Sequence, residues 1–109
     1  MIWGDYQLTL LRTAQGEGLA LRAAETLCVA PCAAGERLRL PETNGSRSVK
    51  RLCIDRKISL SERGRLPAIY ADGQLAAVWP LGTDEKFLPE HSEEFRFVQI
   101  LKHTEEKER

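Results

Sequence analysis

Apolar and polar residues alternate from Tyr6 to Thr13, the period of a half-buried strand, and Gly16 and Gly18 then mark a turn. Two short apolar runs follow, Leu19–Arg22 and Thr26–Ala30, the second ended by Pro31. They read as two strands, with one Ala-rich helix between them as the alternative, and the strand reading is preferred. Gly35–Pro41 alternates charge with leucine. That pattern predicts a half-exposed strand with Arg37 and Arg39 on its outer face, closed by Pro41.

Turn formers gather from Pro41 to Ser46, where a loop is expected. Beyond it Val49, Leu52 and Cys53 obey the i, i+3, i+4 rule while Lys50, Arg51 and Lys57 fall on other faces, so residues 47–57 predict an amphipathic helix with a basic outer side. Ser59-Leu60-Ser61-Glu62 fits a capping box, in which Ser59 accepts from the Glu62 amide and the Glu62 carboxylate returns to the Ser59 amide. The short helix it starts must end early, because Gly64 is a poor helix former and Pro67 pushes Leu66 toward extended geometry. Ala68–Ala71 and Gln74–Trp79 flank Asp72-Gly73, whose tolerance of positive φ suits a type I′ hairpin turn. Pro80, Gly82 and Pro89 bracket an irregular acidic stretch, Phe95–Leu101 is a last β-prone run, and Thr104–Arg109 reads as a frayed tail. No segment repeats at a fixed period. Strands around one short helix–loop–helix make α+β the predicted fold class.

A length of 109 residues suits one domain spanning 1–109, and 42% hydrophobic residues are too many for a disordered chain. No run approaches the roughly 20 apolar residues of a membrane-spanning helix, and the N-terminus lacks a basic segment leading into an apolar one, so neither a membrane nor a secretion signal is expected. Cys28, Cys32 and Cys53 are an odd number with no disulfide spacing, which suits buried free thiols in a reducing cytoplasm. His91 and His103 lack metal-site partners, and Cys28 and Cys32 have no second pair downstream, so no metal site is assigned. The chain has no Gly-x-Ser-x-Gly elbow and no Gly-x-x-x-x-Gly-Lys-Ser/Thr or Gly-x-Gly-x-x-Gly loop, so no catalytic residue is assigned and no nucleotide cofactor is expected in this domain.

Charge changes the picture. The total is zero, but residues 37–66 hold nine basic and three acidic side chains, a net +6 between acidic flanks of −2 and −4. Arg47, Lys50, Arg51, Arg56, Lys57, Arg63 and Arg65 crowd into the expected helix–loop–helix. Phosphate contact is the natural use of such a cluster, since each neutralised phosphate releases counterions without any reading of bases. The plainer alternative is a solvated face whose cations pair with Asp55 and Glu62. Arg63 and Arg65, on either side of Gly64, are the preferred anchors because a guanidinium grips phosphate bidentately.

These residues also carry a resemblance. Gly45-Ser46-Arg47-Ser48-Val49-Lys50-Arg51-Leu52, followed by Glu62-Arg63-Gly64-Arg65-Leu66-Pro67 and the Asp72-Gly73 hairpin through Val78, resembles the C-terminal domain of bacterial tRNA(Ile)-lysidine synthetases. That family has a Gly-x-Arg-x-x-Lys-Lys/Arg-Leu segment, a helix, an Arg-Asp-Arg-x-Pro turn and a hairpin tipped by Asp-Gly. Here Gly64 stands for the central Asp, and Ser59-Leu60-Ser61 for the family's Pro-Pro-Trp. The resemblance implies a layered α+β unit with a β-sandwich, similar to a domain of the phenylalanyl-tRNA synthetase β chain. It implies a larger cytoplasmic enzyme that uses ATP to attach lysine to the wobble cytidine of an isoleucine tRNA. Its catalysis, with ATP and Mg, belongs to an N-terminal domain marked by Ser-Gly-Gly-x-Asp-Ser, a string this chain lacks. The partners so implied are the acceptor stem of the isoleucine tRNA and the catalytic domain of the same protein. Arg47, Lys50, Arg51, Arg63 and Arg65 carry over as tRNA-contacting candidates, with Arg56 and Lys57 as secondary basic residues. Two other readings stand beside it: a structural domain docking on an acidic protein surface, and a standalone RNA-binding protein of the same fold.

Overall fold

The computed structural model describes residues 1–43, 45–89 and 95–102. In chain order its elements are β1 (Ile2–Trp3), β2 (Tyr6–Leu11), β3 (Gly18–Arg22), β4 (Leu27–Ala30), β5 (Arg37–Leu38), β6 (Arg47–Ser48), α1 (Val49–Asp55), α2 (Leu60–Arg63), β7 (Ala68–Ala71), β8 (Gln74–Val78), β9 (Gly82–Thr83), a 3₁₀ turn (Glu85–Phe87) and β10 (Phe95–Lys102). Two four-stranded sheets, ordered β1-β2-β10-β3 and β4-β7-β8-β9, and the small β5-β6 pair are all antiparallel. The expected layered α+β architecture is what forms: the first sheet, the second sheet and the helices stack in that order.

The middle sheet serves two cores. Leu8, Leu19, Leu21, Val98 and Ile100 of the outer sheet pack on Ile69, Ala71, Ala76 and Ala77. On the opposite face Ala68, Leu75 and Val78 meet Leu38, Leu40, Val49, Leu52 and Cys53. A strand buried on both faces has no polar side to show, which explains the unbroken Leu-Ala-Ala-Val of β8. Alternation fails between Ala76 and Ala77, both of which face the outer sheet. Ile69 lies opposite Ala77 and Tyr70 opposite Leu75, so Ala76 is the extra residue of a β-bulge, and its carbonyl accepts from the Asp84 amide at 2.8 Å. β3 runs so close to β10 that a Cβ on Gly18 would come within 2.1 Å of the Val98 carbonyl oxygen, so only glycine fits there.

Several boundaries differ from the sequence reading. The strand expected over Gly35–Pro41 keeps its burial pattern, with Leu38 and Leu40 inside and Arg37 and Arg39 outside, but pairs only at Arg37–Leu38. Beyond Leu38 the backbone bonds elsewhere: the Arg39 amide donates to the buried Asp84 carboxylate (2.8 Å), and the Arg39 carbonyl accepts from the Glu85 amide (2.9 Å). The helix expected over 47–57 is shorter, because Arg47 and Ser48 pair with β5 and Ser48 caps α1 by accepting from the Arg51 amide at 3.0 Å. It ends at Asp55 in a Schellman motif: the Lys57 and Ile58 amides donate to the Ile54 and Cys53 carbonyls, with Lys57 itself at φ 60°.

The second cap forms at Ser59, whose hydroxyl accepts from the Glu62 amide (3.3 Å) as expected, but the Glu62 carboxylate returns to the Ser59 hydroxyl (3.4 Å) rather than to its amide. The hairpin turns on Asp72 and Gly73 at φ 50° and 85°, as a type I′ turn requires. β2 stops at Leu11 and β10 reaches Lys102, while the stretch after Pro80 holds β9 and the 3₁₀ turn. Cys28 is exposed and Cys32 half-buried, so only Cys53 fits the expectation of buried thiols; Cys28 lies on β4, an edge strand. His91, His103 and the tail Thr104–Arg109 lie outside the described residues.

Candidate nucleic-acid interface

The packing of α1 decides where its charges point. Val49, Leu52 and Cys53 are buried against the middle sheet, which turns Lys50 and Arg51 outward. Arg51 holds Asp55 one turn on (Nε to Oδ1, 3.2 Å), a pair exposed on both sides and of small energy. Lys57 and Arg65 are exposed, and no ion pair among the described residues engages Lys50, Lys57 or Arg65.

The other cations are partly spent on structure. Arg56 donates to the Pro80 and Leu81 carbonyls, both at 3.3 Å, and reaches the Glu42 carboxylate at 3.5 Å, so it staples α1 to two loops. Arg63 is half-buried and donates through Nε to the Ile58 carbonyl at 3.2 Å. Arg47 is half-buried in β6. Arg37, absent from the candidates, grips Ser46 through its hydroxyl (3.0 Å) and its carbonyl (2.9 Å), which pins the loop leading into α1.

Lys50 and Arg63 line one cleft of about 350 Å³, walled by residues 32–36, the start of α1 and the end of α2. The middle sheet fixes this cleft through Tyr70 of β7. The Tyr70 hydroxyl accepts from the Ala33 amide (3.1 Å) and donates to Glu36 (3.3 Å), while the Glu36 carbonyl accepts from the Val49 amide (2.9 Å). Loop, sheet and helix are thereby locked together. Cys32 and Cys53 complete the apolar wall. Burial first, then the Glu36 carboxylate and Cys53, push the Cys32 thiol up to about 11. Burial also raises Cys53, against the pull of the Arg63 guanidinium. Both therefore stay neutral near pH 7 and behave as small apolar side chains.

Of the sequence candidates, Lys50 and Arg63 meet at the cleft, Arg51 sits on the outer surface of α1, and Arg65 follows α2. Arg56 is turned toward Glu42 and the 80–81 loop. Glu36 is the residue sequence reading missed at this site. Its only signal is a charged residue after Gly35, at the head of a segment read as strand.

Fold and site together define a small layered α+β domain with cations gathered on its helical face. Residues 27–98 match the family described as the TilS substrate C-terminal domain. Over 85 residues the chain is 34% identical to a protein named tRNA(Ile)-lysidine synthase from Azoarcus sp. (strain BH72), an alignment covering 78% of this chain and 19% of that protein. In fold it is similar to a solved structure titled as the crystal structure of the TILS C-terminal domain, with a TM-score of 0.73 at 19% identity, over 93% of this chain and 87% of that one. The chain belongs to the TilS substrate C-terminal domain family. It spans about a fifth of the length of the curated relative. No helix among the described residues is long and apolar enough to cross a membrane.

Proposed function

We propose that this chain is the tRNA-gripping C-terminal domain of a cytoplasmic tRNA(Ile)-lysidine synthase and that it performs no chemistry itself. It holds the isoleucine tRNA by the acceptor stem while a separate nucleotide-binding domain, using ATP and Mg²⁺, joins lysine to the wobble cytidine. Among the described residues no group of three or more His, Cys, Asp or Glu is placed to hold a metal, and no step is assigned to ATP or Mg²⁺ on this chain. Its contribution to rate is positioning: a tRNA held at two separated points presents its wobble base to the reacting centre with less orientational freedom to lose.

The observation that carries this reading is that exposed Lys50, Arg51 and Arg65 and cleft-lining Arg63 lie within the family-matched segment, on the helical face of a rigid sheet. A-form RNA offers such a face its phosphates and 2′-hydroxyls. The test is binding of an unmodified isoleucine tRNA transcript to the 109-residue chain across a salt series. Lys50→Ala with Arg65→Ala should weaken binding and flatten the log–log salt slope by about 2, roughly one for each phosphate left without its cation. Because both side chains are exposed, folding stability should move by no more than about 0.5 kcal/mol per substitution. Unchanged affinity would refute the reading. Arg63→Ala is a less clean probe, since it also removes the bond to the Ile58 carbonyl.

A further inference from the structure

The cleft between residues 32–36, α1 and α2 differs from an ordinary phosphate site. Its walls are mostly apolar, Glu36 lines it together with the cations Lys50 and Arg63, and its volume of about 350 Å³ is at the lower end of the roughly 300–1,000 Å³ of small-ligand sites. A phosphate filling it would lose hydration to apolar walls and meet a like charge. A nucleotide separates these demands, because its base is flat and apolar on its faces, polar at its edge, and joined to a phosphate that can remain outside.

We propose that this cleft receives one unpaired nucleotide of the bound RNA, with the base inside against Arg63, an exocyclic amino group on Glu36, and the phosphate at Lys50. The proposal rests on the RNA-binding reading above and specifies what the helical face recognises beyond the backbone. The bond from Arg63 to the Ile58 carbonyl holds its guanidinium at the cleft wall, and RNA-binding proteins stack unpaired bases on such planes. Glu36 is fixed by the Tyr70 hydroxyl and accepts at its other lone pairs, so it suits adenine, cytosine and guanine, which carry amino groups. Uracil has no amino group, and its one edge donor, N3–H, is flanked by two carbonyl oxygens that repel a carboxylate, so it is the poorest partner for Glu36. The helical face thereby becomes a reader of paired and unpaired RNA together: cations outside for the stem, a walled cleft for one base.

The experiment compares two RNA hairpins of the same stem, one blunt and one with a four-nucleotide 3′ overhang of A, C, G or U, for binding to the 109-residue chain. Overhangs of A, C or G should tighten binding about tenfold over the blunt stem, and U by less than about threefold, in line with the roughly 1–3 kcal/mol worth of one stacked base. Ala34→Trp, an exposed residue of the cleft wall, should abolish the overhang gain and leave blunt-stem binding intact. Glu36→Gln adds a donor and should bring U up to the level of the other bases. Equal binding of blunt and overhang RNA overturns the cleft proposal and leaves the stem-binding reading standing. A gain that survives Ala34→Trp also overturns it, because the overhang then binds elsewhere. Failure of every RNA to bind overturns both.

Discussion

The two faces of the middle sheet are built from the same strands and do different work. Toward the outer sheet, Ile69, Ala71, Ala76 and Ala77 meet Leu8, Leu19, Leu21, Val98 and Ile100, an apolar interface that the Thr83 hydroxyl crosses to donate to the Ala20 carbonyl at 3.2 Å. Toward the helices, Ala68, Leu75 and Val78 meet a layer only two short helices wide, whose outer side carries the cations. Each face also has a concavity of similar size. The one at the open end of the sandwich, about 360 Å³, is lined by Met1, Leu8, Leu10, Leu27, Val29 and Val98, without a charged side chain. The one beneath the helices, about 350 Å³, holds Lys50, Arg63 and Glu36. Volume therefore distinguishes nothing here. The placement of charge, fixed by which residues α1 must bury, separates a scaffold face from the face proposed for recognition.

Damage to one face should leave the other's task intact. The largest effect should come from Leu21→Ala, which empties a fully buried position between the sheets. It should cost about 2–5 kcal/mol in chemical denaturation, while RNA affinity per folded molecule stays unchanged. Lys57→Gly works on the helical side in the opposite direction. Lys57 occupies the left-handed position of the Schellman motif, which glycine fills without strain, so the variant should gain about 1 kcal/mol. The smallest effect is a pH dependence. Folding raises Cys32 from its ordinary 9 to about 11, so the stability it favours is whole below pH 9 and is lost as pH rises through 11. Cys32→Ser should make denaturation midpoints fall less steeply between pH 9 and 11, with Cys53 and Tyr70, also raised, supplying the remaining slope.

Local chemistry made much of the fold legible. The Asp72-Gly73 turn, the Ser59 cap and the buried triad Val49, Leu52, Cys53 depend on neighbours a few residues away, and each sits where its pattern placed it. What escaped depends on contacts distant in sequence. The strand after Gly35 ends early because Asp84, far along the chain, captures the Arg39 amide. The helix end at Asp55 was hidden because Lys57 stands where a glycine would have announced the stop. The same limit applies to the site. Charge pattern indicated the helical face, but which cations remain outward was set by partners such as Glu42 and the Pro80 and Leu81 carbonyls for Arg56. Glu36 entered the cleft only through Tyr70 and Val49, which no spacing rule could bring to it.

The most direct measurement is a backbone amide NMR titration of the 109-residue chain with an unmodified isoleucine tRNA transcript. Shifts and broadening concentrated on residues 32–36, α1, α2 and Arg65, with β1, β2, β3 and β10 unmoved, are the result predicted here. Perturbations centred on the open end of the sandwich around Leu10 and Val98, or none at any tRNA concentration, would contradict the assignment of recognition to the helical face.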